Sequence, residues 1–551
     1  MKLYTLAEVF AKVDPELPLF CDTETVGFYG KVRLFQTMQK GWEAPMLVEW
    51  PCLIDLAVNL TKHTTVWHNA HYDITTIQAN FIENWRPEQD KIHDMLYLAR
   101  LRWYYEDKFS LDDVLQYTLG YDPYQAKGLD KKTLQKSKWD APVLSEAQLQ
   151  YAATDVEHMP AAWDAISEFT TDMNYKLDML TMWHALKFQW NGMPVCEERL
   201  ADKYRENRRL INEAAVPINV NSWQQVRPYI GEDESDDEAL ARFSAEGNDR
   251  ARAVRYVRGL RKQNSFLEKF DTDRIYGKFL PSARSGRFTS KDQNLQQIPR
   301  KLKSVFSAPP GRVFVYADFA QLELRTIAAI VGCVKMIELF KNGEDLHAFT
   351  AAMLFGEDFT PEHRQITKTY NFNLLYGGGV NMIITILLKQ VGILQSEAKT
   401  NRDRVKWRNL WREITQWQEK GTSDWRKGRP GRTPMGRKYT AKRMTDQLNI
   451  ENQGAGAEVA KLALHYLCQK LEDHPESILC NFIHDSYIVE TDDDPEVYKA
   501  VADDMGASMK EAWSEMCKYF KVKDIPMPVE VKVGTNWGDI ENGVCIYESN
   551  Y

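Results

Sequence analysis

Two acids in this chain stand where a fold could gather metal-binding oxygens. Val313-Phe314-Val315-Tyr316 reads as a buried strand that ends in a lone acid, Asp318, and the stretch from Leu322 to Val331 follows at helical spacing. Farther on, the apolar runs Cys480 to Ile483 and Tyr487 to Glu490 flank His484-Asp485-Ser486, which reads as a tight hairpin with an acid at its tip. Taken singly, either acid could be a helix N-cap or turn aspartate. Brought together by a sheet, two hard carboxylates would hold a pair of Mg²⁺ ions roughly 3.5–4 Å apart, an arrangement for phosphoryl transfer. Between them, Arg364, Lys368, Asn371 and Leu375 recur at i, i+4, i+7 and i+11. A helix would put the two cations on one stripe with Phe372 and Tyr376 beside them, cations suited to a triphosphate and rings suited to a base.

A second acid group lies near the start. Leu17 to Cys21 reads as a strand running into Asp22-Thr23-Glu24, whose alternation puts both carboxylates on one face. A Thr-Val-Trp strand precedes His68-Asn69-Ala70-His71-Tyr72-Asp73, and Tyr151 and Asp155 lie one turn apart in a helix-like segment.

These motifs give the chain a specific resemblance to family A DNA polymerases, the DNA polymerase I and Klenow-fragment type. Asp318-Phe319-Ala320-Gln321-Leu322-Glu323-Leu324-Arg325 resembles motif A; Arg364, Lys368, Asn371, Phe372, Tyr376 and Gly377 resemble motif B; His484 and Asp485 resemble motif C. Thr289, the run Asn294-Leu295-Gln296-Gln297-Ile298-Pro299, Asn449 and Gln453 agree further. Asp22/Glu24, Asn69/Asp73 and Tyr151/Asp155 resemble the three exonuclease motifs of the DnaQ-like fold.

The resemblance implies an α/β and α+β multidomain chain: a DnaQ/RNase H-like 3′–5′ exonuclease domain over about 1–175, then a right-hand polymerase domain over about 176–551. Within the latter the thumb would span about 197–280, the palm about 281–335 and 430–551, and the fingers about 336–429. It implies that Asp318 and Asp485 hold the metals of synthesis, and that Asp22, Glu24, Asp73 and Asp155 hold those of editing while Tyr151 orients the attacking water. The cofactor would be Mg²⁺, two ions per site, with Mn²⁺ able to substitute. Arg364, Lys368 and His347 would contact the triphosphate. Tyr376 would lie against the templating position, and Glu323, with Phe372 nearby, would exclude a ribose 2′-hydroxyl; Gln321 completes the nucleotide-binding set. Primer–template DNA would meet Arg287, Gln453, Asn449, His484, Asn294 and Gln297. Minor-groove acceptors occur in every base pair, so such contacts would read pair shape rather than sequence. Arg255, Arg258 and Lys262, at i, i+3 and i+7, form a basic stripe suited to phosphates or, alternatively, a solvated face.

Two positions depart from the family pattern. Asn373 replaces the usual Gly of motif B and Ser486 the usual Glu of motif C, which bears on rate, fidelity and base preference.

The chain has 551 residues, 44% of them hydrophobic, and a net charge of −8, enough for several domains with ample cores. An acidic total argues against a protein that coats nucleic acid indiscriminately but allows a local basic groove. No apolar run has the length of a membrane span, and the N-terminus does not resemble a signal peptide, so a cytoplasmic monomer is expected. The eight scattered cysteines propose no zinc site or disulfide framework. The run Gly231 to Glu238 reads as a solvated acidic loop.

The expected function is template-directed DNA synthesis from dNTPs with 3′–5′ proofreading. The short thumb and the absence of a 5′ nuclease segment point to a bacteriophage genome replicator in the host cytoplasm. A helicase, primase or processivity factor is a conceivable partner without a docking loop to support it. The alternative is a 3′–5′ exonuclease whose polymerase-like half binds DNA but does not polymerise.

Overall fold

The computed structural model describes residues 1–27, 29–80, 85, 88–280 and 283–551. The chain divides into two compact units, Met1–Leu186 and Lys187–Tyr551, so the division falls within the helix Met173–Phe188.

The first unit is built on a sheet of β1 (Leu19–Thr25), β2 (Val32–Gln39), β3 (Met46–Glu49), β4 (Thr65–Trp67) and β5 (Ile92–Asp94) in the order β3-β2-β1-β4-β5. β1 pairs antiparallel with β2 and parallel with β4. β2 is buried along its whole length, Arg33, Gln36, Thr37 and Gln39 included, and helices cover the sheet. Leu19, Phe20 and Cys21 of β1 pack with Phe35, Val66, Trp67 and Ile74 in one core. Past Cys21 the burial alternates, so Thr23 and Thr25 turn inward while Asp22 and Glu24 share the more open face. Helix α1 (Ala70–Ala79) brings Asp73 to this sheet, and α2 (Glu146–Glu157), started by a Ser145/Gln148 capping box, brings Tyr151 and Asp155.

In the second unit, helix α3 (Asp249–Leu267) packs through Ala251, Val254 and Val257 against Leu240 and Phe243. The acidic run ahead of it is only partly loop. Asp236 caps the helix Asp237–Ala245 by accepting from the Glu238 and Ala239 amides, and Asp237 and Glu238 occupy its first turn. Acids there complement the positive end of the helix dipole, which is why a run of like charges folds instead of staying extended.

The central sheet of this unit comprises β6 (Arg312–Phe319), β7 (Ile478–Ile483), β8 (Ser486–Asp492), β9 (Val529–Gly534) and β10 (Tyr547–Asn550), ordered β7-β8-β6-β9-β10 with antiparallel pairs throughout. The strand and hairpin expected from the sequence are both present. β6 hands over to α4 (Leu322–Val331) through Gln321 at φ 57°, and β7 turns into β8 through His484, also at φ 57°. Helix α5 (Leu346–Phe355) begins at an Asp345 cap, α6 (Pro361–Leu375) carries the Arg364/Lys368 stripe, and α7 (Met444–Lys470) packs against α4. Among the described residues no helix is long and apolar enough to cross a membrane, and all eight cysteines are free thiols.

Candidate active sites

In the second unit the β6/β8 register pairs Asp318 with Ser486, the residue after Asp485. Two acids from distant parts of the chain therefore sit at one end of one sheet. Burial first, then the negative charges of Asp485, Glu530 and Glu541, push the Asp318 carboxyl well above its ordinary range. Asp485 is pushed up to about 6, by burial above all and against the nearby Arg287 guanidinium. Carboxylates gathered at this cost are typical of sites completed by cations. The departure at Ser486 leaves a short side chain whose Oγ donates to Ile483 O at 3.1 Å.

Beside the acids, three segments converge on Glu323. Arg287 Nη2 donates to its Oε1 at 2.5 Å and the Tyr376 hydroxyl to its Oε2 at 2.6 Å. Asn452 Nδ2 bonds both the Tyr376 hydroxyl and Glu323 O at 2.9 Å, while its own Oδ1 accepts from Thr326 at 2.7 Å. Asn452 is fully buried and lies outside the motif residues Asn449 and Gln453. Both oxygens of Glu323 are thus fixed, and with them the distance between the start of α4 and the end of α6.

The remaining expected residues are placed as follows. Lys368 is exposed, while Arg364 is held by Asp345 through Nε at 2.8 Å and Nη2 at 2.5 Å. His347 is buried, bonded through Nδ1 to Asn371 at 2.9 Å, with its ring 5.8 Å from that of Phe372 and tilted 44° to it; burial lowers its pKa to about 4, so it is neutral. Asn373 turns back to donate to Thr369 O at 2.8 Å. Gln321 Oε1 and Asn449 Oδ1 are buried without a hydrogen-bond partner, Gln453 is half-buried, and His484 and Gln297 are exposed. Asn294 caps the turn that follows it by accepting from Gln296 N. Of the basic stripe, Lys262 is exposed, but Arg255 is paired with Asp237 at 3.1 Å and Arg258 donates to Val220 O and Ser235 O. The geometry leaves Lys262 as the member of that stripe facing water.

In the first unit, carboxylate oxygens of Asp22, Glu24 and Asp155 lie within 4.8 Å of one another. Asp22 Oδ2 accepts from Gln36 at 2.6 Å. Asp73 stands beside this trio with Oδ1 taken by the Thr23 hydroxyl at 2.6 Å. Asp155 Oδ1 accepts from the Tyr124 hydroxyl, whereas its Oδ2 is buried with no partner. Tyr151 is buried, with its ring 6.0 Å from that of Tyr124. Burial, then the neighbouring acids, drive Asp22 and Glu24 well above the usual carboxylate range; burial raises Asp73 to about 7 and Asp155 to about 6. An all-oxygen donor set with an orphaned buried oxygen fits a hard divalent cation. His68 is not part of it: its Nε2 meets Phe109 O at 2.9 Å and burial lowers its pKa to about 3.

These raised carboxyls predict how stability depends on pH. An acid whose folded pKa lies above its unfolded value binds protons more tightly in the native state, so stability falls as pH rises through that window, here from about 4 to about 7. The raised acids should therefore make the metal-free protein melt higher at about pH 5.5 than at about pH 7.5, against the opposite pull of His68 and His347, whose lowered pKa values cost stability on acidification. Mg²⁺ should raise the melting temperature more at the higher pH, where the acids are charged. Thermal scans with and without chelator check this; a metal response independent of pH would contradict it.

The sequence matches the profile of DNA polymerase family A over residues 196–539 and that of a 3′–5′ exonuclease over residues 5–167. DNA polymerase I of Aquifex aeolicus is 28% identical across 94% of this chain and 95% of its own length. The thermostable DNA polymerase I of Thermus caldophilus is 28% identical across 60% of this chain and 43% of its own. Among solved structures, the POL domain of Pol1 from M. smegmatis, in complex with DNA primer–template and dNTP, superposes with a TM-score of 0.77 at 18% identity, covering 98% of this chain and 99% of that one. The chain belongs to DNA polymerase family A and carries a 3′–5′ exonuclease domain ahead of its polymerase domain.

Proposed function

We propose that the chain extends a primer along a DNA template with dNTPs at Asp318 and Asp485, and trims mispaired 3′ ends at Asp22, Glu24, Asp73 and Asp155. The observation that carries this is the β6/β8 register, which puts Asp318 next to the Asp485 hairpin in one recess. Mg²⁺, two ions per site and replaceable by Mn²⁺, would supply charge neutralisation at the attacking and leaving oxygens. The protein's part is placement. Lys368, and Arg364 once released from Asp345, would bind the triphosphate, with His347 behind them holding Asn371. Phe372, Tyr376 and Gln321 would shape the nucleotide site. Arg287, Asn449, Gln453, His484, Asn294 and Gln297 would line the primer–template path, with Lys262 and its neighbours on phosphates. In this scheme Tyr151 orients the water that attacks the 3′ end.

The thumb, palm and fingers are assigned to about 197–280, 281–335 with 430–551, and 336–429. The short thumb supports a cytoplasmic, viral setting, whereas no docking loop supports a helicase or primase as partner. That setting would be overturned if the protein complemented a bacterial repair polymerase yet failed to support phage replication.

Because Arg287, Tyr376 and Asn452 clamp Glu323, its carboxylate would stand as a fixed wall where a ribose 2′-hydroxyl would enter. In a labelled primer–template assay with single nucleotides, Glu323→Ala should raise the kcat/KM ratio of ribo- to deoxynucleotide by about 10- to 200-fold. An unchanged ratio would remove Glu323 from sugar selection.

A further inference from the structure

The exonuclease trio is held in place by a residue outside every acid motif. Tyr124 donates its hydroxyl to Asp155 Oδ1 at 2.5 Å across 31 positions of sequence. Its ring is buried in the short helix Pro123–Ala126, where Pro123 opens the turn and Asp122 accepts from the Tyr124 and Gln125 amides at 2.9 and 3.2 Å. Tyr151 packs near one side of the ring, and Lys131 Nζ stands 4.6 Å from its centroid. Lys131 is itself tied to Asp112 Oδ1 at 2.9 Å. Backbone cap and ring packing fix where the hydroxyl points, and the cation only lies over the ring face.

The consequence falls on Asp155. Tyr124 holds Oδ1 and Tyr151 also hydrogen-bonds the carboxylate, while Oδ2, buried without a partner of ordinary hydrogen-bond geometry, is the oxygen left for the group formed with Asp22 and Glu24. A phenol suits this task better than a cation. It satisfies one lone pair without cancelling the negative charge, so the acid keeps its attraction for a metal. We propose that Tyr124 is a positioning residue of the editing site, holding Asp155 so that Oδ2 is presented as a ligand to a divalent cation. The inference rests on the reading that Asp22, Glu24 and Asp155 bind metal.

The test is a Mn²⁺ titration of the full-length protein by calorimetry, with degradation of single-stranded DNA and primer extension measured on the same samples. Asp22→Ala should remove the share of binding due to the exonuclease acids. Tyr124→Phe, which lacks only the hydroxyl, should keep that share but weaken it about 10- to 100-fold. The kcat of degradation should fall with it, KM for DNA should stay within about twofold, and extension should be unchanged. Lys131→Met, which keeps the hydroxyl and removes the cation over the ring, should not weaken Mn²⁺ binding.

Wild-type Mn²⁺ affinity in Tyr124→Phe, or an equal loss in Lys131→Met, would reduce Tyr124 to a packing residue. Unaltered Mn²⁺ binding in Asp22→Ala would overturn the metal reading itself and the role of Tyr124 with it.

Discussion

Replacing Asp318 with alanine should lower template-directed extension by about 10³-fold or more while leaving 3′–5′ degradation within about twofold of wild type. The size follows from the work asked of the group. A metal stabilises the charge of a phosphoryl-transfer transition state by several kcal/mol, and each 1.36 kcal/mol is about tenfold in rate. The selectivity follows from architecture: Asp318 lies on β6 in one compact unit and the second acid group in the other. The same substitution should not lower the melting temperature of the metal-free protein. Asp318 is recessed among Asp485, Glu530 and Glu541, so the fold carries its charge at a cost that alanine removes. Lost extension together with a collapsed melting transition would mean that Asp318 holds up the sheet rather than a metal.

Asp22→Ala should do the reverse, lowering degradation by about 10³-fold or more and leaving extension intact. Asp22 is the more informative acid to remove because its Oδ2 is already fixed by Gln36 and its carboxylate belongs to the trio whose oxygens lie within 4.8 Å. Its charge is also opposed by Asp73, Asp155 and Glu24, so its loss should leave the metal-free unit as stable as before or more so. Rate and fidelity should separate in this variant: correct nucleotides are added at the usual speed, but mismatched ends persist. Preserved degradation in Asp22→Ala would break the assignment of the editing site.

How much of this was legible in the sequence depended on whether the signal was local. Asp318 announced itself because an apolar strand ends there and a helical pattern begins. The hairpin around Asp485 was readable because two apolar runs leave too few residues between them for anything but a turn. Asp22 and Glu24 were readable from strand alternation.

What was not legible depends on contacts between distant segments. Asn452 lies one position from Gln453, and only the packing of α7 on α4 shows that it points inward to Glu323 and Tyr376. Tyr124 carries no motif, and its link to Asp155 exists only in the fold. The pairing of Arg364 with Asp345, and of Arg258 with two carbonyls, is likewise invisible to periodicity, which reports a face but not its neighbour. The acidic run at 231–238 is loop as far as Asp236, and only its last two residues start a helix. Charge repulsion argues for a loop, but Asp236 is a good N-cap followed by Ala-Leu-Ala, a helix-start signal that a reading by charge alone overlooks.

The central claim is that one chain both writes DNA and erases its own errors, at two separate acid sites. The most direct test is a labelled primer–template with a mispaired 3′ end, incubated with Mg²⁺ and with or without the four dNTPs. The wild-type protein should shorten the primer stepwise without nucleotides and, with them, trim the mispair and then extend to the template end. Asp318→Ala should stop after trimming, and Asp22→Ala should leave the mispair in place. Shortening without any growth by the wild-type protein, under conditions where a matched primer also fails to extend, would contradict the account and leave a nuclease with a polymerase-like half.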